Sequence, residues 1–176
     1  MLRFGRRFLR DASGVSAIEF ALILPVMVVS YFGVAEIGSF ILADRKVTAV
    51  AATAADLVAQ STQVTNAGMN DIMASLGVIV QPFNANDAQI RITSVTADAL
   101  GNTKVAWSDA LRTSPRTVGA AMTVPAGLVP ANQSIIVAEI SFTYKSVAGM
   151  FLSNGITVSD TFYQKPRKTL AVQRIP

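Results

Sequence analysis

The chain contains no cysteine and no histidine. Without cysteine there is no disulfide, no thiolate zinc site, no iron–sulfur cluster and no thiol nucleophile. Without histidine the commonest general base and the commonest transition-metal ligand are missing. Charge is also scarce, at 15% of residues against roughly 25% in ordinary soluble domains. Apolar residues make up 51% and the mean hydropathy is +0.44. That balance excludes intrinsic disorder as the main state and implies that part of the chain is not made for water. At 176 residues the length suits one domain, or one domain with an appended helix.

Catalysis would have to come from a Ser–Lys dyad or a carboxylate pair. No spacing or glycine-elbow string singles out such a pair, and Asp71, Asp87, Asp98, Asp109, Glu139 and Asp160 are scattered. The expectation is a protein that is not an enzyme and that carries no cofactor and no metal.

What charge there is sits unevenly. Arg3, Arg6, Arg7 and Arg10 against Asp11 give the first 14 residues +3 of the chain's net +4. A basic arm ahead of an apolar run reads as a topology signal rather than a nucleic-acid patch. From Phe20 to Ala35 there is no charge at all, and Ile18–Leu42 contains only Glu19 and Glu36, one near each end. As a helix that longer stretch covers roughly 37 Å, enough for about 30 Å of hydrocarbon. The positive-inside rule then places the amino terminus in the cytoplasm and the rest of the chain on the far side of the membrane. Pro25 lies inside the span, removes one backbone donor and is expected to kink the helix. An ordinary cleaved signal, with Gly33-Val34-Ala35 as its small-x-small site, is the competing reading. Glu19 and the helical spacing that continues past Ala35 speak against it. A twin-arginine signal at Arg6-Arg7-Phe8-Leu9 lacks its spacer residue.

Phe40, Ala43, Val47, Val50, Ala54 and Leu57 continue a 3,4 spacing, so one helix is expected from about Val15 to Gln60, half in the membrane and half outside. Its seam would pack on the protein's own head or on a neighbour's helix. Residues 69–76 suggest a short amphipathic helix capped at Asn66 or Asn70. Strands are expected at 89–97, 103–108, 134–146 and 156–163, with Trp107 as a core anchor, a long connection over 112–133 and a basic tail from Lys165 to Arg174. The fold class is therefore α+β: a long N-terminal helix carrying a small antiparallel β-sheet head. The expected organisation is a basic leader (1–14), a transmembrane and stalk helix (15–60) and an exported α+β head (61–176).

The most specific string is Gly14-Val15-Ser16-Ala17-Ile18-Glu19-Phe20. It resembles the processing site of type IVb prepilins, in which a Gly is followed five residues later by Glu and then Phe or Tyr. In that family a membrane aspartyl peptidase cuts after the Gly, which here would leave Val15 first. Glu19 and Phe20 would then serve in assembly, because a carboxylate at the edge of hydrocarbon is costly unless it is paired. More widely, Gly14, Ala17, Glu19, Phe20, Ala21, Leu22, Leu24, Pro25, Glu36 and Gly38 resemble the TadE-like family of bacterial tight-adherence (Tad/Flp) systems, over about residues 14–56. The resemblance implies a minor pilin or pseudopilin acting in pilus assembly, surface adhesion and biofilm formation. It also implies contact with the prepilin peptidase, the major Flp pilin, a TadF-like minor pilin, the inner-membrane Tad assembly platform and membrane lipid, with no nucleic acid. Glu36 would be the carboxylate at the far membrane end. The alternative is a membrane-anchored periplasmic binding or adhesin module that is not processed.

Overall fold

The computed structural model describes residues 14–146 and 154–176. The basic leader before Gly14, with its four arginines, and Phe151 lie outside the described residues. Helix α1 runs as one element from Val15 to Ala59, 45 residues, or about 68 Å. It continues through Pro25 without a break in helical assignment. A short strand β1 (Gln63–Val64), helix α2 (Asn66–Ile79) and four longer strands follow: β2 (Ala88–Ala97), β3 (Thr103–Leu111), β4 (Ser134–Tyr144) and β5 (Ile156–Gln164). A last short strand, β6 (Gln173–Arg174), pairs in parallel with β1. The main sheet is antiparallel throughout, in the order β3-β2-β4-β5. This is the α+β architecture expected: a long helix carrying a small antiparallel sheet.

The stalk seam packs on the protein's own head. Ala43, Val47, Val50, Ala51, Ala54, Ala55, Val58 and Ala59 are all buried in one core with Ile90, Ile92, Ile136, Ala138, Ile140, Phe142 and Tyr144 of the sheet. The alanines matter because a methyl group lets a helix axis approach a sheet closely. The buried face is wider than a two-position seam, and Leu57 is only half-buried while Val58 is enclosed.

Helix α2 starts three residues earlier than the apolar spacing suggests. Its cap is Thr65, whose hydroxyl accepts from the N–H of Gly68 at 3.0 Å, rather than Asn66 or Asn70. Thr65 is in extended conformation, the geometry that a capping side chain needs. Strand β3 runs on to Leu111, beyond the Ser108 end expected from its apolar residues, because its register with β2 continues as far as Leu111 opposite Ile90. Trp107 is buried, and its indole donates to the carbonyl of Val172 at 2.8 Å. The connection after β3 covers part of the second face of the sheet: Met122, Val124, Leu128 and Val129 pack on Val95, Ile135 and Val137.

Candidate functional site: the amino-terminal helix and its junction with the head

Gly14 stands immediately before α1 with φ −85° and ψ −13°, an ordinary right-handed conformation open to any residue. Among the described residues a side chain added there would meet nothing within 4 Å. Neither the backbone nor the packing of this fold asks for glycine at this position. Among the described residues α1 has no side-chain cap at Gly14 and no acidic residue in its first turn. Glu19 lies four residues after Val15, on the same helical face, and is exposed, as are Val15 and Phe20.

From Phe20 to Leu42 the helix presents Leu22, Ile23, Val26, Met27, Val29, Tyr31, Val34, Ile37 and Ile41 outward around much of its circumference. Its most apolar 18-residue window has a mean hydropathy of 2.0 and none of it is buried within the protein. A helix apolar on all sides needs an apolar medium. Among the described residues α1 is the single helix long and apolar enough to cross a membrane. The anchor expected from the sequence is thus present in form, with Pro25 near the start of its exposed half.

Glu36 is different from Glu19. It is 5% exposed, while Val34 and Ile37 in the same turn are open. The spacing explains this: Glu36, Phe40, Ala43, Val47 and Val50 step by 4, 3, 4 and 3, so Glu36 occupies the first position of the stripe that faces the head. Just above it, Phe40 meets Tyr144 edge to face, with ring centroids 5.8 Å apart. Phe83 packs against the same Tyr144 ring at 5.9 Å. Of the two carboxylates bounding the span, one is exposed and one is buried.

A second polar constellation lies on the sheet face away from α1. Arg91 of β2 stands opposite Glu139 of β4, and its Nη1 is 3.4 Å from the carboxylate. Arg116 from the long connection grips the same carboxylate twice, Nε at 3.0 Å and Nη2 at 2.6 Å. The hydrogen bond to Glu139 raises the Arg116 pKa above its ordinary value, against a smaller opposing effect of burial. Arg91 also donates to the Ser114 carbonyl at 2.8 Å and to the Thr113 hydroxyl. The cluster therefore ties the connection to the sheet, and beside it an open groove is lined by Gln89, Ser141, Ser159 and Thr161. Sequence reasoning missed this cluster, since Arg91, Arg116 and Glu139 are far apart in the chain and only the β2–β4 register brings two of them together.

The remaining head carboxylates are mostly engaged with cations. Asp87 pairs with Lys145, Asp109 with Arg174 and Asp56 with Arg167. Asp160 accepts from Thr48 at 2.6 Å. Among the described residues no three metal-ligating side chains come together.

Gly14, Val15, Glu19, Phe20 and Pro25 are thus gathered on the free half of α1, and Glu36 at its junction with the head. No curated protein and no solved structure matches the chain. Residues 14–56 match the family model described as TadE-like protein, about a quarter of the chain, which begins at Gly14 and ends within the half of α1 that packs on the sheet. The amino-terminal segment bearing these residues is TadE-like.

Proposed function

We propose that the protein is a minor pilin or pseudopilin-like structural component of a Tad (Flp) pilus, processed between Gly14 and Val15 and acting in pilus assembly, adhesion and biofilm formation. The observation that carries this reading is the division of α1 within the TadE-like segment. Its first half is a bare apolar rod beginning at a glycine the fold does not need, and its second half is built into a globular head. Such a subunit is stored in the inner membrane with its head in the periplasm, and is recruited by lateral contacts of the rod.

Cutting after Gly14 would place a new ammonium group on Val15, at the start of α1 and on the face of Glu19. On one helix the two are a turn apart; between neighbouring subunits, the Glu19 carboxylate of one can neutralise the amino terminus of the other in a medium where an unpaired charge is costly. Phe20 would pack beside that pair, and Pro25 would supply local backbone freedom for the rod to fit its neighbours. The partners on this reading are the prepilin peptidase, the major Flp pilin, a TadF-like minor pilin, the assembly platform and membrane lipid.

The test is Glu19→Ala in cells that make the pilus. The variant is expected to insert in the membrane at normal level while piliation is lost; normal pili in that strain would refute the assembly role. An unprocessed anchor bearing a binding head is the other reading, favoured by the open groove beside Arg91 and Glu139. Amino-terminal sequencing of membrane-extracted protein separates the two: Val15 first supports processing, Met1 first supports the anchor.

A further inference from the structure

We propose that the end of the head farthest from the anchor, where α1 stops at Ala59, is a docking surface for an anionic polysaccharide, a glycan chain bearing carboxylates. The inference deepens the adhesion part of the reading above and rests on its placing of the head outside the inner membrane. Beyond residue 14 the chain carries a net charge of only +1, since the first 14 residues hold +3 of the total +4. Most cations of the head are committed within the fold. Arg91 and Arg116 share Glu139, Lys145 holds Asp87, and Arg112 donates to the carbonyls of Ala85 and Ala88. The basic tail divides in the same way: Arg167 pairs with Asp56 and Arg174 with Asp109, while Lys165 and Lys168 are exposed. Among the described residues the cations left without a partner are Lys104, Lys165 and Lys168 at the distal end, and Arg45 and Lys46 where α1 leaves its apolar half.

Register gathers the three distal lysines. Lys104 pairs with Thr96, and Thr96 with Ser134. Ser134 donates its N–H to the Leu170 carbonyl at 3.0 Å, and Lys168 stands just before that residue in the tail. Three strand spacings put Lys104 about 14 Å from the tail. Lys165 follows Gln164, which pairs with Ile136, close to Ser134 on β4. Lys104 faces the side on which the tail runs: Ser94 and Thr96 share one face of β2, and Trp107, opposite Ser94, donates to Val172 of the tail. Backbone bonds from Arg167 to Ala59, from Ser134 to Leu170 and from Gln173 to Thr62 fix the tail there, so the lysines stand on a rigid frame. Lys104, Lys165, Arg167 and Lys168 meet only Asp56 and Asp98 at this end, and the positive excess of the head is concentrated here. The free cations are all lysines, whereas the arginines, whose planar forks suit phosphate, are tied into the fold. Residues 98–104, 130–134 and 165–176 contain no aromatic side chain, so nucleic-acid bases find no stacking platform. Beside Ser134, the side-chain amides of Asn132 and Gln133 have no partner among the described residues and offer donors and acceptors to sugar hydroxyls.

The full chain in phosphatidylcholine nanodiscs, which carry no net charge, is tested against immobilised polygalacturonate, with dextran and oligodeoxythymidylate of similar length as comparators. The expected result is tightest binding to polygalacturonate, weakening as sodium chloride rises from about 20 to about 200 mM. Lys165→Gln with Lys168→Gln should weaken it about ten-fold and make its salt dependence shallower. Arg45→Gln with Lys46→Gln removes the same charge about 20 Å down α1 from Ala59. That pair lies beyond the screening length and should change binding less than about two-fold. A thermal melt of each variant, expected to match the parent, shows that the fold is kept. Equal losses for the two pairs would mean that net charge alone is read, and would overturn the docking surface. Binding no tighter than to dextran would overturn it as well. Oligodeoxythymidylate bound as tightly as polygalacturonate would overturn the glycan and assign the surface to nucleic acid. The assay needs no pilus, so its failure leaves the Glu19→Ala test of assembly standing, and normal pili in that strain leave the binding result standing.

Discussion

The indole Nε1 of Trp107 donates to the backbone carbonyl of Val172 at 2.8 Å, joining β3 to the carboxy-terminal tail across 65 positions of sequence. Both residues are buried, so the bond is made away from water, where a lost partner is felt in full. Trp107→Phe keeps an aromatic ring and removes the donor. It should destabilise the protein by about 1–3 kcal/mol, the usual cost of an unsatisfied buried carbonyl with some lost packing. Thermal unfolding of the detergent-solubilised chain checks this; an unchanged midpoint would mean that the tail carbonyl finds water instead.

The tail also secures the distal end of α1. The N–H of Arg167 donates to the Ala59 carbonyl at 2.8 Å, and its guanidinium pairs with Asp56. The ion pair is largely solvated, so Arg167→Ala should cost below about 1 kcal/mol. Deleting residues 165–176 should do far more, because it removes the cap on α1, the β1–β6 pairing and the Val172 contact with Trp107 together. Limited proteolysis near residues 60–65 should accelerate in the truncated chain and scarcely change in the point variant.

Alanine is the residue that lets α1 lie close to the sheet, and Ala54 is fully enclosed. Ala54→Leu forces added volume into a filled interface and should cost about 1–3 kcal/mol or more. A leucine at an exposed position of the free rod, as in Val34→Leu, should leave unfolding of the head unchanged. Equal effects at both sites would contradict the division of α1 into a packed half and a bare half.

Glu139 holds two arginines, and their separation in sequence makes the pair testable by a double-mutant cycle. Glu139→Ala leaves Arg91 and Arg116 facing one another in a partly buried setting, with an expected cost of about 1–3 kcal/mol. Arg116→Ala in that background should restore part of it. Cleavage in the connection around residues 113–117 should rise in Glu139→Ala, since the Arg116 guanidinium and the Arg91 bonds to Thr113 and Ser114 are held by or beside this carboxylate, leaving the Arg116 N–H bond to Ser108 in that stretch. The turn at Asp98 gives a separate pH signature. Hydrogen bonds from Asn102, side chain first and then backbone, hold the Asp98 carboxylate below its ordinary pKa. A folded pKa below the unfolded one stabilises the fold above the ordinary aspartate value of about 3.9 and loses that contribution as the pH falls through the folded value. Asp98→Ala should therefore flatten the acid limb of the stability curve below about pH 4, with no change near neutrality in its slope.

Much of this arrangement was legible in the sequence because it rests on periodicity. The 3,4 spacing from Phe40 onward placed the seam, and the alternation from Ile136 to Tyr144 placed the central strand, since both reflect one face buried and one face open. The Thr65 cap was obscured by two asparagines that are equally good capping residues on composition. The role of the tail and the Arg91–Glu139–Arg116 cluster depend on register and on where a long connection returns, which no local pattern encodes. Glu36 was visible as a charge near the end of the span, yet its burial follows only from noticing that it continues the stripe of Ala43 and Val47.

Gly14 offers a test in which stability and maturation part company. Its backbone is ordinary and the space around it is open, so Gly14→Val should leave the unfolding of the head unchanged. On the proposed function, the same substitution obstructs the extended backbone in the peptidase cleft, where a glycine presents no side chain. The variant should accumulate with Met1 at its amino terminus, while the parent begins at Val15 when the peptidase is present. Amino-terminal sequencing, paired with a thermal melt on the same preparation, reads both quantities. A Gly14→Val chain that melts normally and still begins at Val15 would locate the cleavage determinant elsewhere, and would leave the glycine without either a structural or a processing role.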